Sequence, residues 1–140
     1  MGAPGAGKTT WFKLNADGTE HIYDTHAVRM NPELDRGIFM HQQRLKAVKA
    51  AEAGQKLICD GTHTIGSHRL VWLNLAKRLN VPSRLVIFDT PLNLLLAAQR
   101  QRQFPAPDRV VIDHYQRMQS AKVVAQREPW DFIDTIKRNP

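Results

Sequence analysis

A single cysteine among 140 residues leaves no partner for an internal disulfide, so the fold draws nothing from covalent cross-links. Cys59 lies in the apolar run Leu57-Ile58-Cys59 and reads as a buried thiol in a reducing, intracellular setting. An apolar strand is a poor place to form a thiolate, so a nucleophilic role for it is not expected. The six histidines and that cysteine show no zinc spacing such as H-x₃-H beside C-x₂-C. No apolar stretch approaches the ~20 residues of a membrane helix, and no signal-peptide hydrophobic region opens the chain. Met1-Gly2 begins like a myristoylation signal, but Ala6 stands where Ser or Thr is required. The expectation is therefore a soluble, cytoplasmic protein without a membrane partner. There is no internal repeat, no low-complexity tract and no composition break, which makes residues 1–140 one domain. Acidic residues are also in short supply. Thirteen Asp+Glu against twenty Lys+Arg give +7, which suits either a polyanionic partner, through counterion release, or a basic solvated surface. Arg84, Arg100, Arg102, Arg109 and Arg117 place part of the excess in the second half.

What the chain does have is concentrated at its start. Gly2-Ala3-Pro4-Gly5-Ala6-Gly7-Lys8-Thr9-Thr10 fits the phosphate-binding pattern G-x-x-x-x-G-K-[ST] at every position. A triphosphate needs many donors at short range, and Gly2, Gly5 and Gly7 leave the backbone bare enough to turn N–H groups toward it, with Ala6 and Thr10 completing the cradle. Lys8 is placed to reach the β and γ phosphates, and the Thr9 hydroxyl to ligate Mg²⁺. The donor implied is ATP or another nucleoside triphosphate. A helix beginning near Lys8 and continuing through Trp11-Phe12-Lys13-Leu14 aims its positive dipole end at the same anion. Such a loop ordinarily follows a buried strand, yet only Met1 precedes it here. Either the natural chain begins upstream of Met1, or the sheet is built without its usual central strand and the loop is poorly anchored.

After a turn at Asn15–Gly18, His21–Asp24 reads as a strand. Thr25–Met30 then enters a helical turn stopped by Asn31-Pro32. A long helix is expected from about Glu33 to Ala53, with Ile38, Leu45, Val48 and Ala51 on one face and Gly54 as its stop. Leu57–Asp60 and Arg84–Asp89 are apolar strands with acidic ends, where parallel sheets carry their ligands. Between them runs a helix with Leu70, Leu73, Ala76, Lys77 and Leu79 on one side, ended by Asn80-Val81-Pro82. Thr90-Pro91 caps and starts a helix from Leu92 to about Gln103. Phe104–Asp108 is a rigid break, followed by a helix from about Arg109 to Ala125 and a short strand at Phe132–Ile136. Alternating strands and helices predict an α/β fold with a parallel sheet flanked by helices, of the P-loop NTPase, kinase-like type.

The order of motifs carries a resemblance. GAPGAGKTTW, then DTHAVRM, then ICDGTH with Arg69 downstream, then VIFDTP and a helix bearing Arg100 and Arg102, resemble the polynucleotide 5′-hydroxyl kinase family, the bacteriophage type and its bacterial relatives. The likeness covers nearly the whole chain from Gly2 to Ile136. It implies transfer of the γ-phosphate to the 5′-hydroxyl end of RNA or DNA, with Lys8, Thr9 and Mg²⁺ holding the donor. Arg102 matches the last arginine of the family's lid helix and would reach the transferred group; the alternative for Arg100 and Arg102 is a helix face making surface ion pairs. Ala98 stands where the family often carries another arginine. The family places an Asp three residues before an Arg, and here His26 stands three before Arg29. The base is therefore either Asp24, conventional but two residues out of register, or His26, which titrates near neutrality. Arg29 would hold an acceptor phosphate. Asp60-Gly61-Thr62-His63 resembles the family's D-x-T-N element. That implies a Mg²⁺-bound water on Asp60 and acceptor contacts from Thr62 and Arg69, unless Asp60 and Thr62 merely cap the next helix. His63 replaces the family's Asn, and Asp89 reads as structural. Two other readings share these features: a kinase of a small hydroxyl compound, such as a nucleoside, sugar acid or antibiotic, and a non-catalytic nucleotide-binding or nucleic-acid-binding remnant.

Overall fold

The computed structural model describes residues 1–24 and 35–138. His26, Arg29, the whole Thr25–Met30 stretch, and Glu33 and Leu34 of the expected long helix lie outside the described residues. The chain forms two compact units, Thr9–Gly61 and Met1–Lys8 with Thr62–Pro140. No described helix is long and apolar enough to cross a membrane.

In the Thr9–Gly61 unit, helix α1 (Lys8–Asn15) leads to strand β1 (His21–Asp24), then α2 (Arg36–Glu52) and β2 (Leu57–Asp60). The link to β1 is built from side-chain bonds, two of them local and one long-range: Asp17 accepts from the Thr19 N–H at 2.9 Å, while Glu20 accepts from the Gly18 N–H at 3.0 Å and from the distant Lys56 at 2.8 Å. Helix α2 opens on Asp35, which accepts from the Ile38 N–H at 2.9 Å, a side-chain cap of the ordinary kind. It closes as Gly54 was expected to close it. With φ at +82°, Gly54 donates to Ala51 O and Gln55 to Ala50 O, both at 3.0 Å, which satisfies the last carbonyls. The predicted apolar face is half right: Val48 and Ala51 are half-buried, but Ile38 and Leu45 are exposed and Ala47 is the buried residue. The small alanines allow α2 to approach β1 and β2, and bulkier side chains one turn round face outward. β1 and β2 pair in parallel, with Asp24 directly beside Asp60.

In the other unit, α3 (Gly66–Leu79), β3 (Arg84–Asp89), α4 (Leu92–Arg100), α5 (Asp108–Ala125) and β4 (Phe132–Lys137) follow in order. β3 and β4 pair in parallel over their full length. Asp131 accepts from the Ser83 N–H and hydroxyl at 2.7 Å each, clamping the start of that register. The core is Met1, Leu85, Ile87, Met118, Ala121 and Ala125, with Trp130 and Ile133 against it. Val111, Met118 and Ala125 recur at seven-residue steps along α5, so one helical stripe is buried.

Two expectations need adjustment here. On α3 the buried positions are Arg69, Leu73 and Leu75, while Leu70 and Lys77 are exposed, because the packed stripe is set by an ion pair at Arg69. Helix α4 stops at Arg100 rather than near Gln103, and Pro91 occupies its N-cap position while Thr90 bonds elsewhere.

Candidate phosphate-binding site

Met1 is seated beside β3. Its amino group donates to Val86 O, its carbonyl accepts from the Phe88 N–H at 2.8 Å, and the Gly2 N–H donates to Thr62 O at 3.1 Å. Met1 thus lies alongside Ile87 in the parallel ladder pattern. Met1, Ala3 and Ala6 are all buried. Gly2 is needed for this seat, since a Cβ there would fall 2.8 Å from Phe88 Cβ.

The loop then turns. Ala3 O accepts from the Ala6 N–H at 3.2 Å, with Pro4 and Gly5 at the central positions and Gly5 at φ +90°, the arrangement of a type II turn. Gly7, at φ +87°, re-aims the backbone before α1 begins at Lys8. Successive amides in such alternating conformations are the arrangement that makes an anion-binding concavity. The Lys8 ammonium arches back over the loop, donating to Gly2 O at 2.8 Å and Ala3 O at 3.0 Å. The Thr90 hydroxyl donates to Ala6 O at 3.4 Å, tying the loop to the end of β3.

The residues expected to hold the metal lie in the Thr9–Gly61 unit. The Thr9 hydroxyl donates to Asp60 Oδ2 at 3.0 Å, and Asp60 is buried at the end of β2. Asp24 is its strand neighbour, so two carboxylates share one sheet edge. These are hard oxygen donors of the kind that fit Mg²⁺, which keeps several waters and takes only one or two protein ligands. That demand is compatible with finding no cluster of three or more His, Cys, Asp or Glu among the described residues. Helix α3 starts at Ile65 without a side-chain cap, so the alternative in which Asp60 or Thr62 caps it does not occur. Thr62 instead accepts from Gly2 through its backbone. Cys59 is held protonated by desolvation, which pushes its thiol pKa up, in keeping with an inert side chain.

Arg69 is placed differently from the acceptor-binding role the resemblance implies. It is 2% exposed, its Nε donates to Glu128 at 2.9 Å and its Nη1 to His63 O at 2.8 Å. The guanidinium therefore holds Glu128 and His63, a residue at φ 46°, where a non-glycine backbone is strained. Burial alone would raise the Glu128 pKa, but hydrogen bonds from Arg69 and Trp130 and the Arg69 charge outweigh it and hold the carboxyl below its ordinary value. A depressed carboxylate stabilises the fold fully above the unfolded pKa and less as pH falls through the folded one. Unfolding temperatures followed downward from neutral pH should therefore begin to drop below about pH 4.5, and Glu128→Gln should flatten that part of the curve.

Arg100 and Arg102 are exposed. Arg102 lies beyond α4, in a turn where its N–H donates to Gln99 O at 3.0 Å. Asp89 is structural as read, held by Lys122 at 2.9 Å. Beside that pair, a cavity of about 370 Å³ opens at the carboxyl ends of β3 and β4, lined by Thr90, Tyr115, Gln119 and Lys137 among others. The sequence reading missed the buried Gln99 and the Arg69–Glu128–Trp130 group; only the ICDGTH spacing to Arg69 hinted at the latter.

No curated protein matches the chain. A family model described as an AAA domain, AAA_33, matches residues 1–124, which takes in the phosphate loop, the Thr9–Asp60 pair and all of β1 to β3. On that match, which spans most of the chain, the chain belongs to the AAA_33 family, a P-loop NTPase-like family that includes kinases.

Proposed function

We propose that the protein is an ATP-dependent kinase that transfers the γ-phosphate to the 5′-hydroxyl end of RNA or DNA. The observation that carries the phosphotransferase reading is the Thr9–Asp60 hydrogen bond at 3.0 Å directly after a loop closed by Lys8. It pairs, within the Thr9–Gly61 unit, a hydroxyl and a carboxylate, both hard oxygen donors of the kind Mg²⁺ takes. Phosphoryl transfer asks a protein for alignment and charge neutralisation, plus a base for the attacking hydroxyl. In this reading the loop amides and Lys8 hold the donor's phosphates. Thr9 and Asp60 would hold Mg²⁺, which supplies neutralisation of the phosphate charge when bound. Asp24 takes the proton of the acceptor hydroxyl as its oxygen attacks the γ-phosphorus and the β–γ bridging oxygen leaves with the nucleoside diphosphate. The position of Asp24 beside Asp60 in the strand register supports it over His26, with Arg29 as partner of an acceptor phosphate. The +7 charge and the order of motifs support a nucleic acid acceptor.

Transfer of labelled γ-phosphate to a 5′-hydroxyl oligonucleotide, set against a panel of small hydroxyl compounds, tests the reading. Activity confined to the panel would assign the enzyme to small molecules. Nucleotide binding without turnover would leave a binding protein. Lys8→Ala is expected to lower kcat/KM by about 10²-fold or more, since it removes charge-assisted bonds to two phosphates. An unchanged value would mean that the observed turnover does not use this loop.

A further inference from the structure

Gln99, on α4, is 1% exposed, and its groups face two different segments. Its Oε1 accepts from the Ala106 N–H at 3.0 Å, and its backbone carbonyl accepts from the Arg102 N–H at 3.0 Å. Both ends of the turn that carries Arg102 are therefore fastened to one residue. Because a backbone N–H can only donate, the bond to Ala106 identifies the oxygen end of the amide and so the nitrogen end as well. That nitrogen, Nε2, lies against the phosphate loop, where a Cβ on Gly5 would meet it at 3.0 Å. It is buried and makes no hydrogen bond. A buried donor left unmade is a standing cost to the fold that methionine would avoid in the same volume. Gly5 has the opposite restriction: at φ +90°, with Leu95 O also 3.1 Å from its Cβ position, it leaves room for this amide and little else.

We propose that Gln99 is a positioning residue that couples the phosphate loop to the Gln101–Pro107 segment and thereby places Arg102. Filling the loop with phosphate shifts its backbone and brings a loop carbonyl to Nε2; the amide, held at its other end by Ala106, transmits that constraint to the turn. The inference rests on the nucleotide-binding reading of the loop and adds the means by which an exposed arginine is made to respond to it.

Hydrogen exchange of the full chain, with and without Mg²⁺ and a non-hydrolysable ATP analogue, tests this. In the wild-type protein the analogue should slow exchange in both the loop and the 101–107 segment, by about fivefold or more. Gln99→Met should keep the loop effect and lose the effect at 101–107. Ala106→Pro removes the N–H that Oε1 accepts, in a partly exposed stretch already flanked by prolines, and should give the same uncoupled pattern without disturbing the loop. In phosphate transfer both variants should lose roughly tenfold in kcat while KM for ATP stays within about threefold, a split that a general loss of stability would not produce. Adding Arg102→Ala to Gln99→Met should cost much less than it does in the wild type. Slowing confined to the loop in the wild type, or retained at 101–107 in Gln99→Met, would overturn the coupling. Slowing in neither segment would overturn the nucleotide reading, and the coupling with it.

Discussion

Arg102→Ala is expected to lower phosphoryl transfer by ~10³ to 10⁵, or about 4–7 kcal/mol of barrier, while leaving the melting temperature nearly unchanged. The size follows from the lid role that the family resemblance implies for it, in which a guanidinium meets the charge that builds on the transferred group. The unchanged stability follows from its position, an exposed turn beyond α4, where substitutions seldom move stability by more than about 0.5 kcal/mol. Arg102→Lys should restore little, because a point charge on a flexible stem does not reproduce a planar fork. Single-turnover transfer with saturating donor is the measurement. A fall of less than about fivefold would be the yield of a surface ion pair and would return Arg102 to the solvent-facing role that its sequence position also permits.

Arg69→Ala is expected to destabilise the protein by about 3–5 kcal/mol, because it leaves the Glu128 carboxylate buried without its cation. Glu128 is only 10% exposed at its side chain and Arg69 2%, so water cannot substitute for the lost partner. The same change frees His63 O from its donor. Thermal and denaturant unfolding measure the effect. Replacing both members, Arg69→Met with Glu128→Met, should recover most of the loss, since removing a buried pair together also removes its desolvation penalty. That double variant also separates the two readings of Arg69. If the side chain only braces the fold, the double variant retains phosphate transfer. If it holds the acceptor as the family resemblance implies, the double variant is folded and inactive.

The elements themselves were largely legible in the residues. Four strands begin where apolar runs follow turn signals, and three of them start and end as expected, because an apolar run bounded by polar residues has few other ways to be buried. Gly54 and Asn80 end their helices in left-handed conformations, a choice made by backbone sterics within a few residues. Helix faces were less legible. Ile38 and Leu45 fall on a plausible stripe of α2, yet Ala47 is what packs, since the contact distance to a sheet favours small side chains in a way periodicity does not record. The length of α4 was overestimated because its stop comes from Gln99, whose carbonyl and side chain capture Arg102 and Ala106.

The sequence by itself determined the phosphate loop, since its glycines, lysine and threonine act through backbone freedom and chain adjacency, which are local properties. It also determined the parallel α/β pattern and the acidic strand ends. Only the tertiary structure decided that Met1 seats the loop against β3, that Asp60 reaches Thr9 and stands beside Asp24, that Arg69 is spent on Glu128, and that Gln99 backs Gly5. Each of these joins residues far apart in the chain, and their pairing is selected by burial, where an unsatisfied polar group is costly enough to choose its partner.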